Sequence, residues 1–496
     1  MTADSPACPT HYGGLRPWLL LLLTSLLCIS AGLYNGFPLV TSDTGTYLNS
    51  ALHFDVPNDR PIVYSLFARF TGWKFSHWLI IWAQGLLLGG LLLRCLREFS
   101  PAVRHPLARL ALVGLLAWGT GFSWYCSQLM PDIFTAIGLL ALALLVLGRF
   151  GSRAGQAGLL ALLLLSELVH SSNLLTFSLT ALGFGVVAWR QRLFARGLVR
   201  RAHWLAATAT VLAGWVVLPA IHAAFGGGFV VSRATPVFLL ARMVEGGIVD
   251  KYLARHCDVA NPPRLCASRD KLPNDAISFL WNGDSPYNQS GGLEANLADY
   301  RAMVRDILTS PRYYPYLATM AAQSTLRQLT HVAHGDGLTT AYRENTNPYW
   351  KVNEFASYEL KSYLSSLQNR SSLDFNDLNQ RTVAAQLLAL LVAVLAIMAQ
   401  QRRSAAASAP TAAHPRQAAL APLAPLLLLL PLRSFGLVAN AIATGALANV
   451  LDRLQGRVAW LLPFWALLLV ANEAPAWARA WRTGLAGRPS ENEPAV

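Results

Sequence analysis

Charged residues are scarce in this sequence. They make up 13% of the 496 residues, about half the share of about 25% that is usual in soluble proteins. Hydrophobic residues make up 54%, so the composition excludes an ordinary soluble protein and predicts a polytopic membrane protein. The net charge of +14 does not indicate a nucleic-acid partner, because the arginines cluster in loops on one side of the predicted membrane.

Several catalytic motifs are also missing. The sequence has no Walker A motif, no GxSxG elbow, no HExxH zinc motif and no GxGxxG motif placed after a strand. These absences argue against ATP hydrolysis and against a serine-hydrolase mechanism. No internal repeat indicates a transporter built from inverted halves.

Cysteines are few, and none has the spacing of a metal-ligand motif. Two of them, Cys257 and Cys266, enclose the stretch CDVANPPRLC in the one large polar segment. If that segment lies outside the cytosol, where disulfides persist, we expect the two to be bonded. A zinc site there would need two more ligands, which His256 alone does not supply.

Ten stretches have the hydropathy and length of membrane spans, for which about 17–25 apolar residues are needed. They are residues 17–34, 77–93, 107–125, 132–147, 157–169, 173–189, 204–224, 383–398, 419–450 and 458–471. The chain after every second span is rich in arginine, so the positive-inside rule predicts cytoplasmic termini. We therefore expect an all-α polytopic protein of the inner (cytoplasmic) membrane.

The spans predict three parts of the chain. Residues 1–224 form an N-terminal transmembrane module, residues 225–380 a mostly helical extracytoplasmic domain, and residues 381–496 a C-terminal transmembrane module. The first outer loop, residues 35–76, lies on the same side as the extracytoplasmic domain. So does the short turn at residues 452–457. This outer side is where we expect a functional site.

The first outer loop joins two apolar spans and carries polar groups at a depth in the predicted membrane where they are costly, unless they line a water-filled or substrate-filled site. Asp43 follows the first span closely, and it is either a catalytic carboxylate or a cap of the short helix that follows. Arg453 and Arg457 stand in an outward turn against the positive-inside trend. These arginines either snorkel to lipid headgroups or bind a phosphate, for which the guanidinium fork is suited.

Several short motifs resemble the GT-C class of membrane glycosyltransferases, which use polyprenyl-phosphate sugars and include protein O-mannosyltransferases and aminoarabinose transferases. They are SDTGTYL with Asp43 and Tyr47, DRPIVYSLF with Arg60 and Tyr64, LMPDIF with Asp132, and the outward arginine turn in NAIATGALANVLDRLQGRVAWLLP. Two features depart from that class: Asp43 is followed by threonine instead of a second acid, and the large polar segment precedes the last three spans. The subfamily, and with it the donor and acceptor, stays open.

The resemblance implies an inverting transfer of a sugar from a polyprenyl-phosphate donor to an extracytoplasmic lipid, glycan or protein. Such a reaction needs a base for the acceptor proton and a group that stabilises the departing phosphate. Asp43 is then the base, and Arg453 or Arg457 binds the phosphate, with Arg60 as a further candidate. Asp132 either orients the acceptor or joins Asp43 in holding a divalent cation.

Histidines add two further candidates. His170, in the turn HSSN, either lines the site or makes a structural hydrogen bond. The stretch THVAHGDG contains His331, His334 and Asp336, and we expect it to contact the acceptor or the lipid in preference to a metal.

Two other functions remain open. An O-antigen polymerase or ligase also has many spans and a large late outer loop, and it relies on outer-loop arginines and a histidine in place of an aspartate base. A transporter or flippase of lipid-linked glycans would bury charges and helix breaks at mid-membrane, whereas the charges here collect at the outer rim.

Overall fold

The computed structural model describes residues 15–149, 152–407 and 424–486. Within these ranges the secondary structure is helical, and the nearest approach to a strand is one parallel bridge between Leu39 and Gln128. The first helices are α1 Pro17–Cys28, α2 Ser30–Asn35, α3 Thr44–His53, α4 Val63–Gly72, α5 His77–Phe99, α6 Pro106–Gly119, α7 Phe122–Cys126, α8 Ile133–Leu147, α9 Arg153–Leu168, α10 Ser171–Arg190 and α11 Arg201–Ala224.

The middle of the chain consists of shorter helices, and the end returns to long ones. The middle helices are α12 Thr235–Glu245, α13 Ile248–His256, α14 Ala276–Trp281, α15 Pro286–Gln289, α16 Gly292–Thr309, α17 Tyr314–Thr330, α18 Asn347–Phe355 and α19 Leu360–Ser365, with a 3₁₀ segment at Arg264–Lys271. The last helices are α20 Asn376–Ala407, α21 Ala424–Ala441, α22 Asp452–Ala459 and α23 Leu461–Ala486, and a π-helical turn, Ile442–Ala446, follows α21.

In the described ranges, six segments are long and apolar enough to cross a membrane, which supports a helical membrane protein. They are His77–Phe99, Ser171–Arg190, Arg201–Ala224, Asn376–Ala399, Leu428–Ala446 and Asp452–Glu473. Three shorter apolar helices, α1, α6 and α8, cover further predicted spans, and residues 157–168 of another lie in α9. Residues 419–423 of the ninth predicted span lie outside the described residues.

The surface of α20 supports contact with lipid. Leu387 and Leu388 are each 62% exposed, and the neighbouring Leu391 and Leu395 are also exposed. A long row of exposed leucines would be unfavourable in water, whereas lipid tails solvate it. This helix therefore has the apolar outer face of a membrane span.

Two predicted spans are interrupted where they approach the first loop. The first breaks at Ile29, and α2 then ends at Gly36, whose φ of +80° suits glycine. The third breaks between α6 and α7, next to Gly121. A side chain at position 121 would collide with the ring of His334, only 2.0 Å from the position of its Cβ. These breaks turn the chain towards the first loop.

The predicted extracytoplasmic domain, residues 225–380, packs as two parts. Residues 237–313 have a hydrophobic core of their own, to which Val237, Phe279 and Tyr300 belong. Later residues, such as Tyr349 and Phe355, instead pack into the large core shared by the apolar helices. The second part therefore covers the first loop directly.

Cys257 and Cys266 are bonded in the structure, with their Cα atoms 5.4 Å apart. The bond joins the residue after α13 to the 3₁₀ segment Arg264–Lys271. It lies in the part of the chain that has its own core.

Candidate active site

Asp43 stands directly before α3, but its side chain does not cap that helix. Each carboxylate oxygen instead meets a guanidinium group. Oδ1 lies 3.1 Å from Nη1 of Arg60, and Oδ2 accepts a hydrogen bond from Nη2 of Arg453 at 2.9 Å. Asp43 thus joins the first loop to the N-terminus of α22.

The two guanidinium groups keep Asp43 ionised. Burial alone would raise its pKa, but the charges of Arg453 and Arg60 together outweigh burial and lower the pKa of Asp43 to about 2. Burial is the largest single effect on Arg60 and lowers its pKa, but the attractions of Asp43 and Asp59, with Tyr47, together outweigh burial and raise the pKa. The side chains of Asp43 and Arg453 are 21% and 22% exposed. This ion cluster is therefore accessible to a ligand.

Arg457 lies one helical turn after Arg453 and is fully buried. Its Nη1 donates to Oδ1 of Asp132 at 3.0 Å. Its Nη2 donates to Oγ of Ser172 at 2.9 Å and to Oδ1 of Asn440 at 3.0 Å. Asp132 is only 2% exposed, so this second ion pair holds α22 against α8, α10 and α21 and is sealed from outside.

His170 is connected to the buried arginine through Ser172. Its Nδ1 accepts a hydrogen bond from the backbone N–H of Ser172 at 3.3 Å and lies 2.9 Å from Oγ of that residue. Burial, assisted by the charge of Arg457, holds the pKa of His170 well below its usual value. In the neutral ring with Nδ1 as acceptor, the proton is on Nε2. His170 is therefore a neutral cap at the start of α10.

Two tyrosines lie beneath Arg60. Its guanidinium group is 5.2 Å from the ring centroid of Tyr47, which in turn is 5.0 Å from the ring centroid of Tyr64 in an edge-to-face arrangement. The hydroxyl group of Tyr64 donates to Oε1 of Gln84 at 2.8 Å, and Nε2 of Gln84 donates to the carbonyl group of Gln128 at 3.0 Å. The aromatic pair thus anchors the first loop to α5.

Backbone hydrogen bonds hold the segment before Asp43. The N–H of Val40 donates to Oε1 of Gln368 at 3.1 Å, and Nε2 of Gln368 donates to the carbonyl group of Val40 at 2.6 Å. On the other side, the N–H of Leu39 donates to the carbonyl group of Ser127, and the N–H of Leu129 donates to that of Leu39, both at 2.9 Å. The main chain that leads to Asp43 is therefore hydrogen-bonded on both sides.

A narrow cleft lies beside Arg453. Its volume is about 10 Å³, which is room for about one water molecule. It is lined by Trp124, Tyr125, Gln128, His334, Gly335, Asp336, Leu338 and Arg453. The backbone N–H of Arg453 donates to the carboxylate of Asp336, and burial raises the pKa of that carboxyl group. Arg453 therefore bonds to two carboxyl groups whose pKa values are shifted in opposite directions, that of Asp43 downwards and that of Asp336 upwards.

The structure brings the single residues that the sequence put forward into two neighbouring groups, one around Arg453 and one around Arg457, which α22 carries one turn apart. They are Asp43, Tyr47, Arg60, Tyr64, Asp132, His170, Arg453 and Arg457. Of the THVAHGDG stretch, His334 and Asp336 reach the cleft, whereas the Nδ1 of His331 pairs with the carbonyl group of Arg327.

Some residues of the cluster had not been identified from the sequence. Asn440 and Ser172 bind Arg457, and Gln368 fixes the first loop. An asparagine inside an apolar run, as at Asn440, is a signal that could have been used, because a polar group in a span needs a partner. Ser172 and Gln368 carry no comparable signal.

No protein-family model matches this chain, and no curated protein or solved structure matches it significantly.

The charges of the cluster suit an anion better than a divalent cation. Both oxygens of Asp43 face guanidinium groups, and Asp132 accepts from Arg457. In the part of the chain that the structure describes, no three or more His, Cys, Asp or Glu side chains are grouped as metal ligands. A cation shared by Asp43 and Asp132 would be repelled by these arginines, so we assign no reaction step to a metal.

Proposed function

We propose that this chain is an integral membrane glycosyltransferase that moves a sugar, with inversion, from a polyprenyl-phosphate donor to an extracytoplasmic acceptor. One observation carries the proposal: Asp43 lies between the guanidinium groups of Arg60 and Arg453 at a partly exposed point. A carboxylate and two groups suited to phosphate binding are what this reaction needs in one place.

The donor itself would activate the base. Its phosphate competes with Asp43 for Arg60 and Arg453, because a phosphate accepts hydrogen bonds from the guanidinium fork in the same way as a carboxylate. When the arginines turn to the phosphate, the cause of the low pKa of Asp43 is removed. The carboxylate then becomes a stronger base only while the donor is bound.

The reaction balances with the groups present in the donor, the acceptor and the site. A hydroxyl oxygen of the acceptor forms a bond to C1 of the sugar, and the bond from C1 to the phosphate oxygen breaks, with its electron pair leaving on that oxygen. The acceptor proton moves to Asp43 and from there to water. Arg60 and Arg453 stabilise the departing polyprenyl phosphate.

The proposal includes a topology. Ten spans would cross the cytoplasmic membrane, with both termini in the cytoplasm and the site at the outer face. The six long apolar segments, the three shorter apolar helices and α9 together match that number. Support for the orientation comes from the arginine-rich loops that follow every second predicted span.

One observation favours a second candidate, an O-antigen polymerase or ligase that uses a histidine base. His170 lies within the field of Arg457, Arg453 and Arg60, while Asp43 in the free protein is a weak base. The Nδ1 of His170 already accepts from Ser172, however, so the histidine would have to act through Nε2. For this reason we prefer Asp43.

The test compares cell-envelope glycolipids, glycans and glycoproteins by mass spectrometry in a deletion strain that carries one variant at a time. We expect the deletion and Asp43→Asn to lack the same single sugar mass, which identifies the product. His170→Asn keeps a capping oxygen before α10 and is expected to restore that mass. Asp55→Asn, in an exposed part of the same loop, is the matched control.

Two results would change the assignment. Full restoration by Asp43→Asn would remove the aspartate base. Loss of the sugar in His170→Asn, with Asp43→Asn active, would favour the ligase.

A further inference from the structure

The loop that carries Asp336 is built around glycines. Gly335 and Gly337 flank this residue with φ angles of +108° and +72°, which side chains rarely tolerate. A Cβ atom at Gly335 would also lie 2.9 Å from the ring of Phe375. The loop therefore adopts a conformation that depends on glycine on both sides of Asp336.

The two carboxylate oxygens of Asp336 have different surroundings. The carboxylate accepts the backbone N–H of Arg453, which anchors it to the start of α22. Its Oδ2 is buried and finds no hydrogen-bonding partner among the described residues. A buried carboxylate oxygen without a partner is unfavourable, so Oδ2 is available to a ligand that donates a hydrogen bond.

His334 gives a second, independent sign of an incomplete site. Its side chain is only 8% exposed, and its Nε2 lies 3.0 Å from Oγ1 of Thr382. Its Nδ1 is also buried, and no polar atom of the described ranges bonds to it. Burial lowers the pKa of His334 to about 4, so the ring is neutral. The cleft thus has two buried polar atoms that the described residues leave unsatisfied.

We propose that this cleft binds the acceptor of the transfer reaction, and that the acceptor is a carbohydrate whose hydroxyl groups bond to Oδ2 of Asp336 and Nδ1 of His334. The inference rests on the proposed glycosyltransferase function. Two unsatisfied atoms call for two donors on one ligand. A sugar ring carries several hydroxyl groups, whereas a serine or threonine acceptor offers one. Trp124 and Tyr125 supply apolar surface for the faces of the ring.

Arg453 connects this cleft to the donor site. Its side chain bonds to Asp43, and its backbone N–H bonds to Asp336. A hydroxyl group held at Asp336 would therefore lie within the length of one arginine residue from the base. Because the cleft has a volume of only about 10 Å³, it must widen to admit a sugar. Movement of the Arg453 side chain towards the donor phosphate would open it, so donor binding would precede acceptor binding.

The experiment separates donor binding from acceptor use. The full chain is placed in nanodiscs of phosphatidylethanolamine and phosphatidylglycerol, and binding of undecaprenyl phosphate is titrated by native mass spectrometry. The transferred sugar is quantified in the complemented deletion strain. Asp336→Asn keeps an oxygen for the Arg453 N–H, and Asp377→Asn, an exposed acid nearby, is the control. Arg60→Ala serves as the reference for lost donor binding.

We expect Asp336→Asn to bind undecaprenyl phosphate as the wild type does but to form at least about tenfold less product, because a hydrogen bond to a charged group is lost. Unchanged product would overturn the inference. So would a loss of undecaprenyl phosphate binding equal to that of Arg60→Ala, which would put Asp336 in the donor site.

Two further outcomes are distinguishable. If the wild type does not bind undecaprenyl phosphate, the proposed function fails, and the acceptor site falls with it. If Asp336→Asn melts at a lower temperature than the control, His334→Gln replaces it. The same pattern of retained donor binding and reduced product is required of that variant, and normal product would again overturn the inference.

Discussion

Arg453 and Arg457 lie one turn apart on α22, and they meet their carboxylates in opposite ways. Arg457 is fully buried, and three protein oxygens accept from it. Arg453 is partly exposed and shares Asp43 with Arg60. The first pair leaves no room for a ligand, whereas a ligand can replace the second. The comparison indicates that one helix holds both a buried structural ion pair and an ion pair that a ligand can reach.

The two ion pairs should also differ in how much they contribute to the stability of the fold. Breaking a buried ion pair is costly because the remaining charge is left without water or a partner. Partly exposed pairs add little to stability, because water and salt screen them. We therefore expect stability to depend on Arg457 and Asp132, and activity to depend on Arg453 and Asp43.

The largest effect is expected for Arg457→Ala. The change leaves Asp132 charged and buried, which lowers the free energy of unfolding by about 3–5 kcal/mol. Thermal unfolding in detergent, followed by fluorescence-detected size exclusion, measures this loss. Arg453→Ala is the matched control one turn away, with a change of about 1 kcal/mol or less. Equal losses in the two variants would remove the distinction between anchor and site.

Asp43→Asn should have the next largest effect, but on the reaction. Loss of the base lowers the rate of sugar transfer by about a hundredfold or more, while the free energy of unfolding falls by about 3 kcal/mol at most, the limit that the lowered pKa of Asp43 sets. Initial transfer rates and melting temperatures measured on the same membranes separate the two effects. Asp132→Asn is the counterpart, and we expect it to reduce stability more than Asp43→Asn does. A stable, inactive Asp132→Asn would move Asp132 into the reacting part of the site.

Lysine substitutions at positions 453 and 457 test the difference between the two ion pairs without changing the charge. A lysine at 457 cannot reproduce the planar fork that reaches Asp132, Ser172 and Asn440 together, and we expect a loss of about 1–3 kcal/mol. Arg453 makes one side-chain hydrogen bond to Asp43, so Arg453→Lys should lose less stability. Melting temperatures of the two variants at one pH give the answer, and a reversed order would contradict it.

The smallest effect is expected from pH. The pKa of Asp43 is lowered to about 2 in the folded protein, below the value of about 4 in an unfolded chain. Its contribution to stability is therefore complete above about pH 4 and is lost as the pH falls towards 2. The difference in unfolding free energy between wild type and Asp43→Asn should be constant from pH 8 to about pH 5. A difference that changes near neutral pH would mean that Asp43 is not held by two arginines.

Much of this arrangement could be predicted from the sequence, because it depends on local patterns. Apolar runs of sufficient length predicted the helices, as for α5, α10 and α11. Arginines on the predicted side of the membrane that is usually poor in them singled out Arg453 and Arg457, but the expected partners were lipid headgroups or a phosphate, not Asp43 and Asp132. The position of Asp43 just after the first span singled it out.

Other features depend on contacts between distant parts of the chain, and the sequence does not reveal them. The break beside Gly121 is occupied by the ring of His334, which comes from a much later segment. Residues 225–380 were predicted as one domain, but Tyr349 packs into the main core while Tyr300 belongs to the separate core. The packing of α8, α10 and α21 around α22 buries Arg457 and leaves Arg453 partly exposed. The sequence does not show this packing.

The bond between Asp43 and Arg453 also has a consequence for how the protein is made. The two residues are 410 positions apart. At translation rates of about 5–20 residues per second, about 20–80 s pass between their synthesis. During that time the growing chain contains Asp43 and Arg60 but not the arginine that completes the cluster. A chain that stops before α22 contains the carboxylate but neither Arg453 nor Arg457, so a prematurely terminated chain cannot form either ion pair.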